Sequence, residues 1–416
     1  MTGPAAFGRR QFLRVGAGAA AVVLSSAAGA PWAQAAGRSP KRVYVLVVDG
    51  CRPDEITPDL TPNLAALRAG GRSYPQARSL PVMETIPNHT MMMAGVRPER
   101  TGVPANSVYD PLEGAVRTLD RADDLRFPTV LERLRGQGLT TGTVLSKDYL
   151  YGVFGTRATY RWEPKPLLPV TDHALDVFTY LALTEMVANA DPNLVFANFG
   201  DIDRFGHADL SGSNVKLLRR TALVSTDKLV GQFVETLKSN GTWADSVVMV
   251  LADHSMDWSL PGRFVSLGAE FEKDPMLAGN VQIAGNGGAD LITWTGAAAQ
   301  RTPALARMRT LATATPGVLS LHSPGELRLG SRAGDLVAYC KAGWRFSDPD
   351  AYSNPIPGNH GHPATEPIPF FLAGGSPLVR PGVTSARATT VDVAPTVGAA
   401  FGLAAPSGGY DGASRL

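Results

Sequence analysis

The sequence predicts an α/β fold with one central, mostly parallel sheet, helices on both of its faces, and a small α+β insertion. Three observations carry this. Short apolar, β-branched runs alternate with amphipathic stretches of helical period, the order that produces crossover helices between parallel strands. Several of those runs are apolar at nearly every position, as a strand covered on both faces requires. Hydrophobic residues make up 44% of the 416 residues and charged residues 18%, a composition that supports a large core and excludes disorder.

The chain begins with a leader-like segment. Residues 1 to 36 carry Arg9-Arg10, then Phe12-Leu13, an Ala-rich apolar run, and Ala33-Gln34-Ala35 as a small-x-small cleavage pattern. This resembles a twin-arginine signal peptide and implies export to the periplasm or the exterior. The apolar run is too short and too rich in Gly and Ala for a membrane span, and no later segment qualifies as a transmembrane helix.

Residues 37 to 416 are then expected to form one domain. "KRVYVLVVDG" at 41 to 50 reads as a buried parallel strand ending in an acid. "TPNLAALRAGG" is a short helix stopped by glycine, and "FPTVLERLRGQGLTTGTVLSKDYL" is helix, turn and strand. A helix over 174 to 190, a strand near 193 to 199 and a polar loop follow. A long amphipathic helix then precedes the strand of "DSVVMVLADHSMD". Residues 258 to 350 read as shorter strands around a helix near 303 to 312, the α+β insertion. "EPIPFFLAGGSP" returns to a buried strand, and "TTVDVAPTVGAAFGL" closes the domain with a helix.

The formal net charge is +2 and no Lys/Arg-rich stripe appears, which excludes a nucleic-acid scaffold. Cys51 and Cys340 are the only cysteines, too few for a disulfide framework; one disulfide or two buried thiols both fit.

Ligands of open α/β sheets gather at the C-terminal ends of the strands. Asp49, Asp203 and Asp253 fall at three such ends, with His207 and His254 close by, and His360 and His362 lie in the later loop "PGNHGHP". Carboxylate and imidazole together suit zinc. Thr85, in "VMETIPNHTMMMAG", has two readings. It caps a helix whose first turn takes Pro87, or its hydroxyl, beside backbone N–H groups and a helix dipole, serves as a metal-activated nucleophile toward phosphorus.

Asp49-Gly50, Thr85-Ile-Pro-Asn-His89, Asp203-x-x-Gly-His207, Asp253-His254 and Gly358-x-His360-Gly361 stand in the order found in the alkaline phosphatase superfamily. Residues 43 to about 401 resemble most its nucleotide pyrophosphatase/phosphodiesterase branch. The resemblance implies an alkaline phosphatase-like catalytic domain and an exported two-zinc phosphodiesterase, a hydrolase of small-molecule phosphoesters; other divalent metals would also be accommodated. One zinc would be held by Asp203, His207 and His360, and the other by Asp49, Thr85, Asp253 and His254. Thr85 would be the nucleophile, passing through a covalent phospho-threonine. Asn106, 21 residues beyond Thr85, matches the asparagine that hydrogen-bonds a phosphoryl oxygen. His360 is preferred to His362 because it lies in the Gly-x-His-Gly match. His89 is expected beside the ligands, not among them, and His173 and His322 at the surface or in the core.

The chain departs from this pattern at Ile86, where nucleotide-cleaving members carry a base-stacking aromatic. Glu84 would repel an extra anionic group if it points inward, and Arg204 faces either a substrate anion or solvent. A phosphomonoesterase or phosphonoacetate-type hydrolase uses similar ligands, and a non-catalytic metal-stabilised binding protein is the rival of another class. A sulfatase is disfavoured, since "CRPDE" at Cys51 lacks the required Cys/Ser-x-Pro-x-Arg arrangement.

Overall fold

The large sheet grows from β1, Arg42–Val48, whose seven residues are all buried. In this computed structural model residues 41–165, 173–209, 216–350 and 352–416 are described, so the twin-arginine leader lies outside the described residues. Arg72–Ser73 (β2), Thr141–Val144 (β3), Tyr160–Trp162 (β4), Leu194–Phe199 (β5), Ser246–Leu251 (β6), Phe370–Ala373 (β7) and Gly382–Val383 (β8) complete the sheet. Their order is β8-β2-β7-β6-β1-β5-β3-β4. From β6 to β4 all neighbours pair in parallel, and β7 runs antiparallel to β6 and β2. The β-branched runs Val43–Val48 and Val247–Leu251 thus occupy the centre, where helices cover both faces.

On one face α1 (Pro62–Gly70) and α5 (Asp176–Asn189) pack against α7 (Leu217–Ser239). Tyr44 of β1 meets Phe233 of α7 edge-on, with ring centroids 5.3 Å apart. On the other face lie α2 (Thr85–Ala94), α3 (Val130–Arg135), α4 (Asp148–Phe154) and α8 (Val393–Phe401). All ten residues of α2 are buried. Asn88 anchors it: its Oδ1 accepts from Leu80 N–H and the Thr390 hydroxyl, and its Nδ2 lies within 3.2 Å of three backbone carbonyls, those of Leu80, Val82 and Glu84.

Residues 281–340 contain a separate antiparallel sheet of Val281–Asn286, Ala289–Trp294, Leu336–Cys340 and Val318–His322, in that order. The helix Arg301–Ala314 buries Ala304, Met308 and Ala312 against Ile292, Trp294, Leu336 and Ala338, forming a second core. Asn286 ties this sheet to the main body, its Oδ1 accepting from Ser107 N–H and its Nδ2 donating to Ser107 O. Cys340 belongs to the second core and Cys51 to the main one; both are free thiols.

One expectation changes. The polar stretch after β5 is not a loop but a helix, α6 (Asp201–Ala208). Asp201 and Asp203 sit in its first turn, where a helix N-terminus favours negative charge. No described helix is long and apolar enough to cross a membrane.

Candidate active site

Each strand end delivers one group. Asp49 directly follows β1, Asp253 and His254 follow β6, and α6 presents Asp203 and, one turn on, His207. The antiparallel entry into β7 brings His360 across, its ring stacked on His254 at 3.6 Å between centroids. Two groups result whose ligand atoms lie within 4.8 Å of one another: Asp203, His254 and His360, and Asp49, Asp253 and His254. His207 joins the first, with Nε2 3.3 Å from Asp203 Oδ1 and 3.0 Å from His360 Nε2.

The three carboxylates share one arrangement. Asp49 Oδ2 accepts from Asn198 Nδ2, and Asp253 Oδ1 from the N–H groups of Gly50 and His254. Asp203 Oδ2 accepts from Lys147 Nζ at 2.8 Å. The other oxygen of each, Asp49 Oδ1, Asp203 Oδ1 and Asp253 Oδ2, is buried without a hydrogen-bond partner. Buried unpartnered carboxylate oxygens are costly, and a divalent cation satisfies them. The residues therefore fit a metal centre of aspartate and histidine.

The second coordination layer supports that fit. His207 Nδ1 is 2.7 Å from Gly358 O, and His254 Nδ1 is 2.9 Å from Ser255 O, which leaves both Nε2 atoms facing inward. His89 is held beside the ligands: Asn198 Nδ2 donates to its Nε2, so its Nδ1–H points at Thr85 O, 2.9 Å away. Burial lowers the His254 pKa to about 3 and that of His89 to about 4, keeping both rings neutral. Burial raises Asp49, and neighbouring Asp253 adds to it; Asp203 is held low against its burial by Lys147 and His207.

Thr85 is the first residue of α2, and Glu84, not Thr85, occupies the cap position. Its Oγ1 instead lies 3.2 Å from His254 Nε2. Asn106 approaches the same helix end, its Oδ1 accepting from Ile86 N–H at 2.8 Å and its Nδ2 donating to Glu84 Oε2 at 2.5 Å. His362 is placed elsewhere, with Nε2 3.0 Å from Asp257 Oδ2. His173 pairs with Asp201 in the core, and His322 contacts Ser320 Oγ. Arg204 is half-buried, its Nε without a partner.

Sequence reasoning overlooked Lys147. It is fully buried at the end of β3, with Nζ 2.8 Å from both Asp49 Oδ2 and Asp203 Oδ2, one carboxylate from each ligand group. Its only local signal is a charge three residues beyond the short parallel strand Thr141–Val144, a weaker mark than that of Asp49, which directly follows β1.

The model of the family described as type I phosphodiesterase / nucleotide pyrophosphatase matches residues 43–363. The chain belongs to this family. The phosphodiesterase-family chain is 23% identical over 237 residues to bis(5'-adenosyl)-triphosphatase ENPP4 of Bos taurus, covering 55% of this chain and 50% of that protein. It is 22% identical over 241 residues to ectonucleotide pyrophosphatase/phosphodiesterase family member 5 of Homo sapiens, covering 56% and 49%. It thus spans about half the length of the curated relatives it matches. Among solved structures, murine ENPP5 superposes with a TM-score of 0.71 at 19% identity, covering 88% of this chain and 96% of that one. An inactive variant of murine ENPP5 in complex with AMP gives 0.72 at 18% identity, with the same coverage. At these identities the likeness establishes the alkaline phosphatase-like fold.

Proposed function

We propose that the chain is an exported, two-zinc phosphodiesterase acting through Thr85. The observation that carries this is the position of Thr85 Oγ1, at a helix N-terminus and 3.2 Å from His254 Nε2, beside carboxylates with unsatisfied oxygens. One ion would be held by Asp49, Thr85, Asp253 and His254, the other by Asp203, His207 and His360. The chemistry such ions supply when bound is a lowered pKa for the hydroxyl and charge stabilisation of the leaving oxygen.

The chain's own residues do the rest. Thr85 Oγ1 forms a bond to phosphorus as its proton passes to solvent and the ester P–O bond breaks, the leaving oxygen taking a proton from solvent to depart as the alcohol. Water then attacks the phospho-threonine, its oxygen bonding to phosphorus as the Thr85 O–P bond breaks, which releases the phosphomonoester and returns the proton to Thr85. Asn106 Nδ2, with one N–H engaged by Glu84, directs its other N–H to an equatorial phosphoryl oxygen. His89 holds the Thr85 carbonyl and so fixes the helix end. Ile86 follows the nucleophile, so base stacking is not supplied there, and the substrate class is a small phosphodiester without a required nucleobase.

The test is turnover of bis-p-nitrophenyl phosphate against p-nitrophenyl phosphate, before and after chelation and zinc restoration. Diester turnover that chelation abolishes and zinc restores supports the reading. Full activity in a metal-free preparation refutes it.

A further inference from the structure

Glu84 is an acid directly beside the nucleophile, 3% exposed, at the cap of α2 without making a cap hydrogen bond. Its two oxygens are spoken for. Oε1 is 3.0 Å from His360 Nδ1, which also has Met83 O at 3.2 Å, and Oε2 accepts from Asn106 Nδ2 at 2.5 Å. The side chain is boxed in by backbone: a Cβ on Gly361, itself at φ +99°, would fall 2.9 Å from Glu84 Oε1 and 2.3 Å from Asn286 O. Among the described residues no lysine or arginine pairs with it. The carboxylate points inward, as the sequence reading allowed, and is fixed there by two donors.

We infer that Glu84 selects substrate charge, favouring a singly charged phosphodiester over a doubly charged monoester. This rests on the phosphoryl-transfer reading of the site. Asn106 Nδ2 has two N–H groups. Glu84 takes one, and an oxygen accepting from the other lies about 5 Å from the Glu84 carboxylate, given ordinary hydrogen-bond lengths and the angle between the two N–H bonds. At that separation, in a partly screened site, each additional unit of substrate charge is disfavoured by about ten- to a hundredfold. A diester carries its single charge on the two oxygens the site must hold in any case. A monoester dianion places its second charge against Glu84.

The experiment compares zinc-loaded parent, Glu84→Gln and Glu84→Asp proteins. Zinc per chain is measured by elemental analysis, and kcat/KM for bis-p-nitrophenyl phosphate and p-nitrophenyl phosphate at pH 8. Calorimetric binding of inorganic phosphate and of dimethyl phosphate gives a readout independent of turnover. Glu84→Gln should move the monoester-to-diester ratio upward by about ten- to a hundredfold and tighten inorganic phosphate by a similar factor, with dimethyl phosphate shifting far less. Glu84→Asp, which keeps the charge, should keep the parent ratio. A Gln ratio within twofold of the parent, or an Asp variant that shifts as Gln does, overturns the assignment. So does a zinc loss that lowers both activities and both affinities equally, because Glu84 would then serve only to aim His360. A parent that cleaves neither ester refutes the hydrolase reading, and the calorimetric comparison alone then decides the role of Glu84.

Discussion

Replacing Lys147 by methionine removes the cation shared by Asp49 and Asp203 while keeping the apolar stem. In the parent, burial works against the ammonium charge, but Asp203 and Asp49 outweigh it and hold the group well above its ordinary pKa. Breaking a buried ion pair by deleting one partner costs about 3–5 kcal/mol. A chain of this size unfolds with an entropy of about 0.8 kcal/mol/K, so the metal-free variant should melt about 5 °C below the parent. Divalent ions supply the missing positive charge at the same two carboxylates, so zinc should raise the melting temperature more in the variant than in the parent. Differential scanning calorimetry after exhaustive chelation, repeated with zinc, measures both quantities. A metal-free variant melting within 1 °C of the parent, on a scale where about 4 kcal/mol is expected, would show that the ammonium does not hold the two carboxylates.

Thr85→Ala should lower kcat for the diester by several hundredfold or more while zinc content stays near the parent value, and Thr85→Ser should keep part of the rate because the hydroxyl remains; unchanged turnover in Thr85→Ala makes the residue a structural one. Stability of the metal-free protein should fall with acid through His89. Its folded pKa of about 4 lies below the unfolded value of about 6.5, so the unfolded chain takes up a proton that the folded one refuses, and stability is lost as pH drops through that window. At pH 5 this amounts to about 2 kcal/mol, read as the difference in urea-unfolding free energy between pH 7 and pH 5, and it should disappear from that difference in His89→Asn. If the chain is exported by the twin-arginine route as proposed, the mature N-terminus should lie near residue 36; N-terminal sequencing that finds Met1 or Thr2 on the protein from the producing cell would contradict that proposal.

The sheet was readable because its central strands are apolar on both faces, as a covered parallel strand requires, and are short and β-branched. Asp49 and Asp253-His254 stood out for the same reason, each ending such a strand. Asp203 and His207 were legible as residues but not as a helix, since an eight-residue helix opened by two acids resembles a polar loop in sequence. Lys147 and Asn198 escaped because their roles come from pairings across 56 and 149 residues of chain. The contacts of Glu84 were equally hidden: whether an acid repels a ligand or is held by His360 and Asn106 depends on a turn more than 270 residues away. The hairpin Ser107–Asp110 with Ala115–Thr118, which seats Asn106, is too short and too polar to show a period.

Helix α2 has no solvent face: all of its residues, Thr85 to Ala94, are buried. Altering its sides would disturb packing against neighbours before it altered chemistry, because a close-packed interior feels even one methylene. The nucleophile is therefore carried by an element with almost no freedom to vary. Room for change lies off the helix, in the Asn106 hairpin and in the appended sheet that grips Ser107 through Asn286. Re-tailoring this chain to another ester is thus a matter of editing the rim and the appendage, with the helix behind the nucleophile left untouched.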